Sequence, residues 1–331
     1  MLSRSEWDEA SRRWIVSTDR GDKMRARYVV LANGSLTTPK LARIEGMETF
    51  AGEAFHTSRW NYHVDLAGKR VGIIGTGATA VQAVPEIAKV ASHLYVFQRT
   101  PSTIDVRDQR ATTEEEIEQW KHEPGWALAR RERLASISSG RTALQGNDDF
   151  LSGKVQAARP QRTYDRQLSP QELMERQLNT NFRIMEQIRA RVASIVKDPK
   201  TAEALKPYYP YGCKRPTFHD EFLPSFNLPH VTLVDTAPHR VSEINERGVV
   251  HNGVEYAVDV LIYATGFHWM GTAAFNMIVG RDGLSLRQKW SEQGVKTFLG
   301  LHSHGFPNLF IMSGPQGGGG QFNFTRGLEG H

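Results

Sequence analysis

Three small residues at fixed spacing, Gly75, Gly77 and Ala80, carry the first chemical signal in this sequence. They follow Val71, Ile73 and Ile74, an apolar run of the kind shown by a parallel strand buried on both faces. Gly75 permits a tight turn, Gly77 lets the backbone approach a pyrophosphate, and Ala80 is small enough to keep a helix close to the strand. Amides at the start of that helix then face the phosphates, which makes Gly75, Thr76, Gly77, Ala78, Thr79 and Gln82 candidate cofactor contacts. About 20 residues further on, an NAD site would place an acid on the ribose 2'-hydroxyl. Here Leu94-Tyr95-Val96-Phe97 is followed by Gln98-Arg99-Thr100, with no carboxylate. A guanidinium and a hydroxyl at that point suit a 2'-phosphate, so the segment predicts NADP(H). The plain alternatives are a chance glycine string and an Arg99 that merely solvates a strand end; the flanking strand, helix and second strand favour the nucleotide turn.

The elements that must position these residues lie in a chain of 331 residues, long enough for two domains with a substantial core. A composition of 39% hydrophobic and 23% charged residues is ordinary for a globular protein. The 41 basic and 36 acidic side chains leave a net charge of +5, scattered along the chain with no basic stripe or module for nucleic acid. The one cysteine, Cys213, excludes a disulfide scaffold and any CxxC redox pair in this chain. No apolar run approaches the roughly 18 residues of a membrane span, and Met1 to Trp14 is too charged for a signal peptide. The expectation is a cytoplasmic chain without membrane contact.

In chain order, Trp14 to Thr18 reads as a strand, Asp19 to Asp22 as a turn, and Arg27 to Leu31 as a strand running into Ala32-Asn33-Gly34. Small residues at a strand end let a cofactor pass close to the backbone, although they also simply end buried strands. Phe50 to Trp60 reads as a packed hinge, in which physics alone favours a satisfied, half-buried His56 beside core aromatics. From Asp105 to about Pro207 the chain turns charged and helix-favouring. After Ser169-Pro170-Gln171-Glu172, a capping sequence, the residues Met174, Leu178, Phe182, Met185, Ile188, Val192 and Ile195 recur at helical steps and predict one amphipathic helix with a core-facing stripe. Lys214-Arg215 then sits on a loop, where such a pair is commonly just solvated. Val231 to Asp235 reads as a strand and residues 239–258 as a meander turning at Asn245 to Gly248 and Asn252-Gly253. Val260 to Tyr263 leads to Ala264-Thr265-Gly266, an echo of Ala32-Asn33-Gly34.

Phe50, Gly52, His56 and Trp60 together spell Phe-x-Gly-x-x-x-His-x-x-x-Trp, which resembles the fingerprint of the Baeyer-Villiger monooxygenases, flavoproteins that insert oxygen next to a ketone. The glycine turn follows at the family's spacing, and Phe97 to Pro101 looks like its NADPH-selecting strand end. The resemblance implies an α/β fold: a Rossmann-like NADP-binding domain over 61–266 with a helical insertion at about 105–207, and an incomplete FAD-binding domain. Residues 1–60 would be the later part of that FAD domain with the hinge, and 267–331 the return to it, through Gly305 to Phe310 and Ser313-Gly314-Pro315. It also implies cofactors NADP(H) and FAD, a ketone or related small molecule and O2 as substrates, and roles for particular residues. Lys214 would join Arg99 and Thr100 at the 2'-phosphate. Arg215 would face the flavin as the catalytic cation, supporting negative charge on oxygen. Asn33, Gly34, Thr265 and Gly266 would line cofactor, while Phe50, Gly52, His56 and Trp60 would couple domains. Family members carry two glycine fingerprints, FAD first, and this chain shows the second. The expectation is therefore a sequence incomplete at both ends that binds FAD weakly or not at all; a yellow sample with stoichiometric flavin would overturn it. An N- or S-oxygenating flavoprotein and a non-catalytic NADP(H)-binding remnant are the other readings. A flavin disulfide reductase is disfavoured because Cys213 has no partner thiol.

Overall fold

The computed structural model describes residues 1–34, 36–138, 142, 169–268, 273–312 and 314–316. The chain forms two compact units, Met1–Lys40 with Phe267–His331, and Leu41–Gly266. The first unit opens with strands β1 (Leu2–Asp8), β2 (Arg13–Thr18), β3 (Lys23–Ala26) and β4 (Val29–Leu31). β1, β2 and β3 form an antiparallel meander. The strand expected over Arg27 to Leu31 is present in shortened form as β4, which joins a different sheet, whereas β3 at Lys23–Ala26 is absent from the sequence reading.

The second unit contains β5 (Glu53–His56), β6 (Arg70–Ile74), helix α1 (Ala78–Ala88), β7 (His93–Gln98) and β8 (Ile104–Asp105). Helices α2 (Glu114–Lys121), α3 (Trp126–Ser138), α4 (Pro170–Ile195) and α5 (Pro199–Ala204) follow, then β9 (Thr217–Phe218), α6 (Phe222–Ser225) and β10 (Val231–Asp235). The meander β11 (Glu243–Asn245), β12 (Gly248–His251) and β13 (Val254–Ala257) leads into β14 (Val260–Tyr263). Part of the expected insertion, 139–141 and 143–168, lies outside the described residues.

Five strands of this unit form one wholly parallel sheet in the order β10-β7-β6-β14-β5. Such a sheet needs cover on both faces, and its strands are accordingly apolar throughout: Val71, Ile73, Leu261 and Ile262 are all fully buried. Helices α1, α4 and α6 supply one cover, packing Val81, Val84, Val192 and Phe222 onto Ile73 and Ile262. The β11–β13 meander supplies the other, with Ile244 and Val249 against Phe97 and Leu261. The segment read as a hinge contributes β5 to this sheet, paired with β14 from Glu53 opposite Val260 to His56 opposite Tyr263. Residues 41–60 thus fall within the second compact unit, whereas the sequence reading grouped them with the first. The reason is that a parallel neighbour for β5 comes from about 200 residues away and has no local signature.

The first unit resumes with α7 (Ala274–Met277), β15 (Ile278–Val279), α8 (Leu286–Gln293) and β16 (Leu309–Ile311). β15 adds to β1 in parallel, and β16 pairs in parallel with β4, Leu309 opposite Val29. Trp14 anchors its core, fully buried, edge-on to Trp7 at 5.6 Å, with its indole N–H donating to Pro307 O at 2.8 Å. Ser313, expected in this return segment, lies outside the described residues.

Candidate nucleotide site and its relatives

In the parallel sheet the chain runs β6, β7, β10 toward one edge and then crosses to β14 on the other side of β6. The strand order therefore reverses between β6 and β14, and at the carboxyl ends there an open α/β sheet leaves a crevice for ligand. Gly75 sits at that point. Its φ is +111°, and a Cβ on it would stand 2.6 Å from the Ala264 carbonyl oxygen, so only glycine lets β6 turn so tightly beside β14. At Gly77 a Cβ would meet nothing within 4 Å, which leaves the space before α1 open. Gly77 is the N-cap of α1 and offers no side-chain acceptor, so the first-turn amides remain available to an anion. Ala80 is fully buried between helix and sheet, in agreement with its smallness.

The side chains predicted around this turn divide in two. Thr76 is buried, and its hydroxyl donates to Thr100 O at 3.1 Å, so it tightens the turn against the end of β7. Gln82 is exposed and folds back, its amide donating to Ala78 O at 2.9 Å. Thr79 is exposed at the mouth of the turn.

Arg99 follows β7 and is exposed. Lys214 comes from a loop more than a hundred residues later, and the short parallel pair β8–β9 is what returns that loop to the end of β7. Ile104 lies opposite Thr217, and the Thr217 backbone N–H donates to Thr103 O at 3.1 Å. Partial burial and then the nearby Arg99 guanidinium lower the Lys214 pKa. Lys214 is solvent-facing, with its Nζ 5.2 Å from the centroid of the Tyr209 ring, and the Tyr209 hydroxyl donates to Pro101 O at 3.0 Å, so both cations lie beside the segment that follows β7. Like charges gathered this way are costly unless an anion completes them. Arg215 is exposed on the same loop.

The fingerprint residues sit on and around β5. A Cβ on Gly52 would meet the Asp259 carbonyl oxygen at 2.5 Å and the Phe50 ring at 2.6 Å, so the glycine admits both. Phe55 and Trp60 meet edge to face at 5.1 Å. His56 is buried; its Nδ1 accepts from the Ser58 backbone N–H at 3.1 Å, which leaves Nε2–H to donate to Gly266 O at 3.1 Å. Burial lowers its pKa, opposed by the Gly266 bond and assisted by Arg59. The satisfied histidine of the physical reading is what stands here, and it clasps the carboxyl ends of β5 and β14. Gly266 has φ +80° and Gly34, at the end of β4, has φ +73°, so the Ala-x-Gly echo extends to backbone conformation. Asn33 donates to Gly34 O at 2.9 Å. Thr265 is half-buried at the end of β14.

Two positioning residues escaped the sequence reading. Gln98, fully buried, donates to Ala204 O at 2.8 Å and fixes the end of β7 to α5. Tyr209 links the two cation-bearing loops. Their nearness in sequence to Arg99 and Lys214 was the only signal.

Comparison with known proteins places this geometry. A profile of the pyridine nucleotide-disulphide oxidoreductases matches residues 7–145. A Baeyer-Villiger monooxygenase, ATR8, of Stachybotrys chlorohalonatus is 44% identical over 94% of this chain and 52% of its own length. Over nearly its whole length this chain is similar to Baeyer-Villiger monooxygenases. The polycyclic ketone monooxygenase of Thermothelomyces thermophila, 40% identical, superimposes with a TM-score of 0.79 over 94% of this chain and 55% of that one. The OTEMO complex with FAD and NADP, 30% identical, does so with 0.77 over 95% and 61%. The chain spans about half the length of the curated Baeyer-Villiger monooxygenases it matches.

Proposed function

We propose that this chain serves an NADPH- and FAD-dependent Baeyer-Villiger oxygenation, in which one atom of O2 is inserted beside a ketone carbonyl to give an ester or lactone. The other oxygen atom leaves as water, with NADPH supplying two electrons. The observation that carries the reading is that Arg99 at the end of β7 and Lys214, seated on the Tyr209 ring whose hydroxyl bonds Pro101 O, flank the same segment, in a chain 44% identical over 94% of its length to a Baeyer-Villiger monooxygenase.

The nucleotide fits the residues present. Backbone amides of Gly77, Ala78 and Thr79 would hold the pyrophosphate, with Gly75 giving the tight turn, Gly77 the close approach and Gln82 ordering the first turn of α1. Arg99, Thr100 and Lys214 would surround the 2'-phosphate, where a guanidinium and an ammonium give charge-assisted hydrogen bonds. For the flavin the fit is partial. Among the described residues the glycine turn at α1 is the sole cradle of this kind; Asn33 with Gly34 ends β4 in one unit, and Thr265 with Gly266 ends β14 in the other. FAD would supply the hydride acceptance and oxygen activation when bound. Arg215 is assigned to hold positive charge where negative charge gathers on oxygen, a contribution of preorganised electrostatics. Phe50, Gly52, His56 and Trp60 fix β5 and so the end of β14, and touch no substrate in this scheme. No helix among the described residues is long and apolar enough to cross a membrane.

The test is product analysis by mass spectrometry, with flavin-loaded protein, NADPH and paired ketone and thioether substrates. Ester or lactone from the ketone is the expected result. Sulfoxide from the thioether with unchanged ketone would favour an N- or S-oxygenating enzyme, and NADP+ binding without any oxygenation would favour a non-catalytic role. Arg215→Ala, in a preparation that carries FAD, is expected to spare NADP+ affinity and abolish ester formation.

A further inference from the structure

We propose that Tyr209 is the residue that positions Lys214 beside Arg99 and thereby sets the preference for a 2'-phosphate over a 2'-hydroxyl, an inference that rests on the NADP(H) reading above. Tyr209 is half-buried in the loop after α5. Its hydroxyl donates to Pro101 O at 3.0 Å, two residues beyond Arg99. The Lys214 Nζ stands over its ring, 5.2 Å from the centroid. One side chain therefore ties the segment carrying Arg99 to the loop carrying Lys214.

The physical need is plain. An ammonium on a flexible four-carbon stem, next to a guanidinium, would swing away into water. An aromatic face attracts the ammonium and offsets part of that repulsion. Burial raises the Tyr209 hydroxyl pKa, so it stays a donor to Pro101 at every physiological pH. The loop is also held from the far side. Asn181 on α4 donates to Tyr211 O at 3.0 Å and accepts from the Tyr211 backbone N–H at 2.8 Å, as a paired strand would. With the backbone fixed by Asn181 and the ring fixed by Pro101, the stem of Lys214 is the main remaining freedom, and the Tyr209 face restricts it.

Calorimetric titration with NADP+ and with NAD+ tests this in the wild-type protein and in Tyr209→Leu, Tyr209→Phe, Lys214→Ala and the Tyr209→Leu/Lys214→Ala pair. Tyr209→Leu is expected to weaken NADP+ about tenfold and to change NAD+ by less than about twofold. Tyr209→Phe keeps the ring face and is expected to retain most of the discrimination. In the Lys214→Ala background, Tyr209→Leu is expected to cost nothing further, because its effect passes through Lys214. Losses that add in the double variant, or equal losses for both nucleotides, would overturn the assignment. Arg99→Ala and Lys214→Ala separate the two levels of failure. If neither alters the ratio of NADP+ to NAD+ affinity, the cofactor reading itself falls; if both do and Tyr209→Leu does not, only the role of Tyr209 falls.

Discussion

At the scale of single residues, the site depends on positions where one atom more or one charge less is decisive. Arg99→Ala removes a charge-assisted contact to a 2'-phosphate and is expected to weaken NADPH about 10- to 100-fold with little change for NADH, read by fluorescence titration. Equal losses for both would remove that role. Gly75→Ala places a methyl 2.6 Å from the Ala264 oxygen in a backbone conformation that side chains avoid. It is expected to destabilise the fold by at least about 1–3 kcal/mol and to abolish nucleotide binding, measured by urea unfolding and calorimetry. His56 makes a pH prediction. Its folded pKa lies below the ordinary 6.5 because burial disfavours the charged ring. The unfolded chain therefore binds the extra proton first, so stability rises with pH and is lost as pH falls below about 6.5. His56→Gln is expected to flatten the urea-midpoint profile between about pH 7 and pH 5, and an unchanged slope would contradict the assignment.

Elements were legible in the sequence to the extent that their signals are local. The β6, glycine turn, α1, β7 series reads directly, because a doubly buried strand must be apolar and a phosphate turn must be small. The start of α4 with its capping box is likewise local, Ser169 accepting from the Glu172 N–H, whereas the equivalent box at α2, Thr113 accepting from the Glu116 N–H, is absent from the sequence reading. What failed was long-range. β1 is too polar to read, and it forms because β2 and the distant β15 pair with it. The α4 stripe is core only in its second half: Met185, Ile188 and Val192 are buried, whereas Met174, Leu178 and Phe182 are 62, 45 and 62% exposed. Periodicity fixes which residues share a face and says nothing of what covers it. The energetic weight accordingly lies in the sheet. Ile262→Ala, in the middle of β14 and fully buried, is expected to cost about 2–5 kcal/mol in urea unfolding. Met174→Ala on the exposed half of α4 is expected to stay within about 0.5 kcal/mol.

At the scale of the whole molecule there are two compact units, and the residues proposed for the nucleotide, Gly75, Gly77, Arg99, Thr100 and Lys214, all belong to Leu41–Gly266. That unit contains its own parallel sheet, both of its covers and the strand-order reversal that makes the crevice. The nucleotide claim can therefore be judged on binding alone, before any oxygenation is assayed. The decisive measurement is a calorimetric titration of the folded chain with NADP+ and, separately, with NAD+. A saturable NADP+ isotherm at one site per chain, at least about tenfold tighter than NAD+, is the expected result. No saturable heat with NADP+, or equal affinity for the two nucleotides, would contradict it.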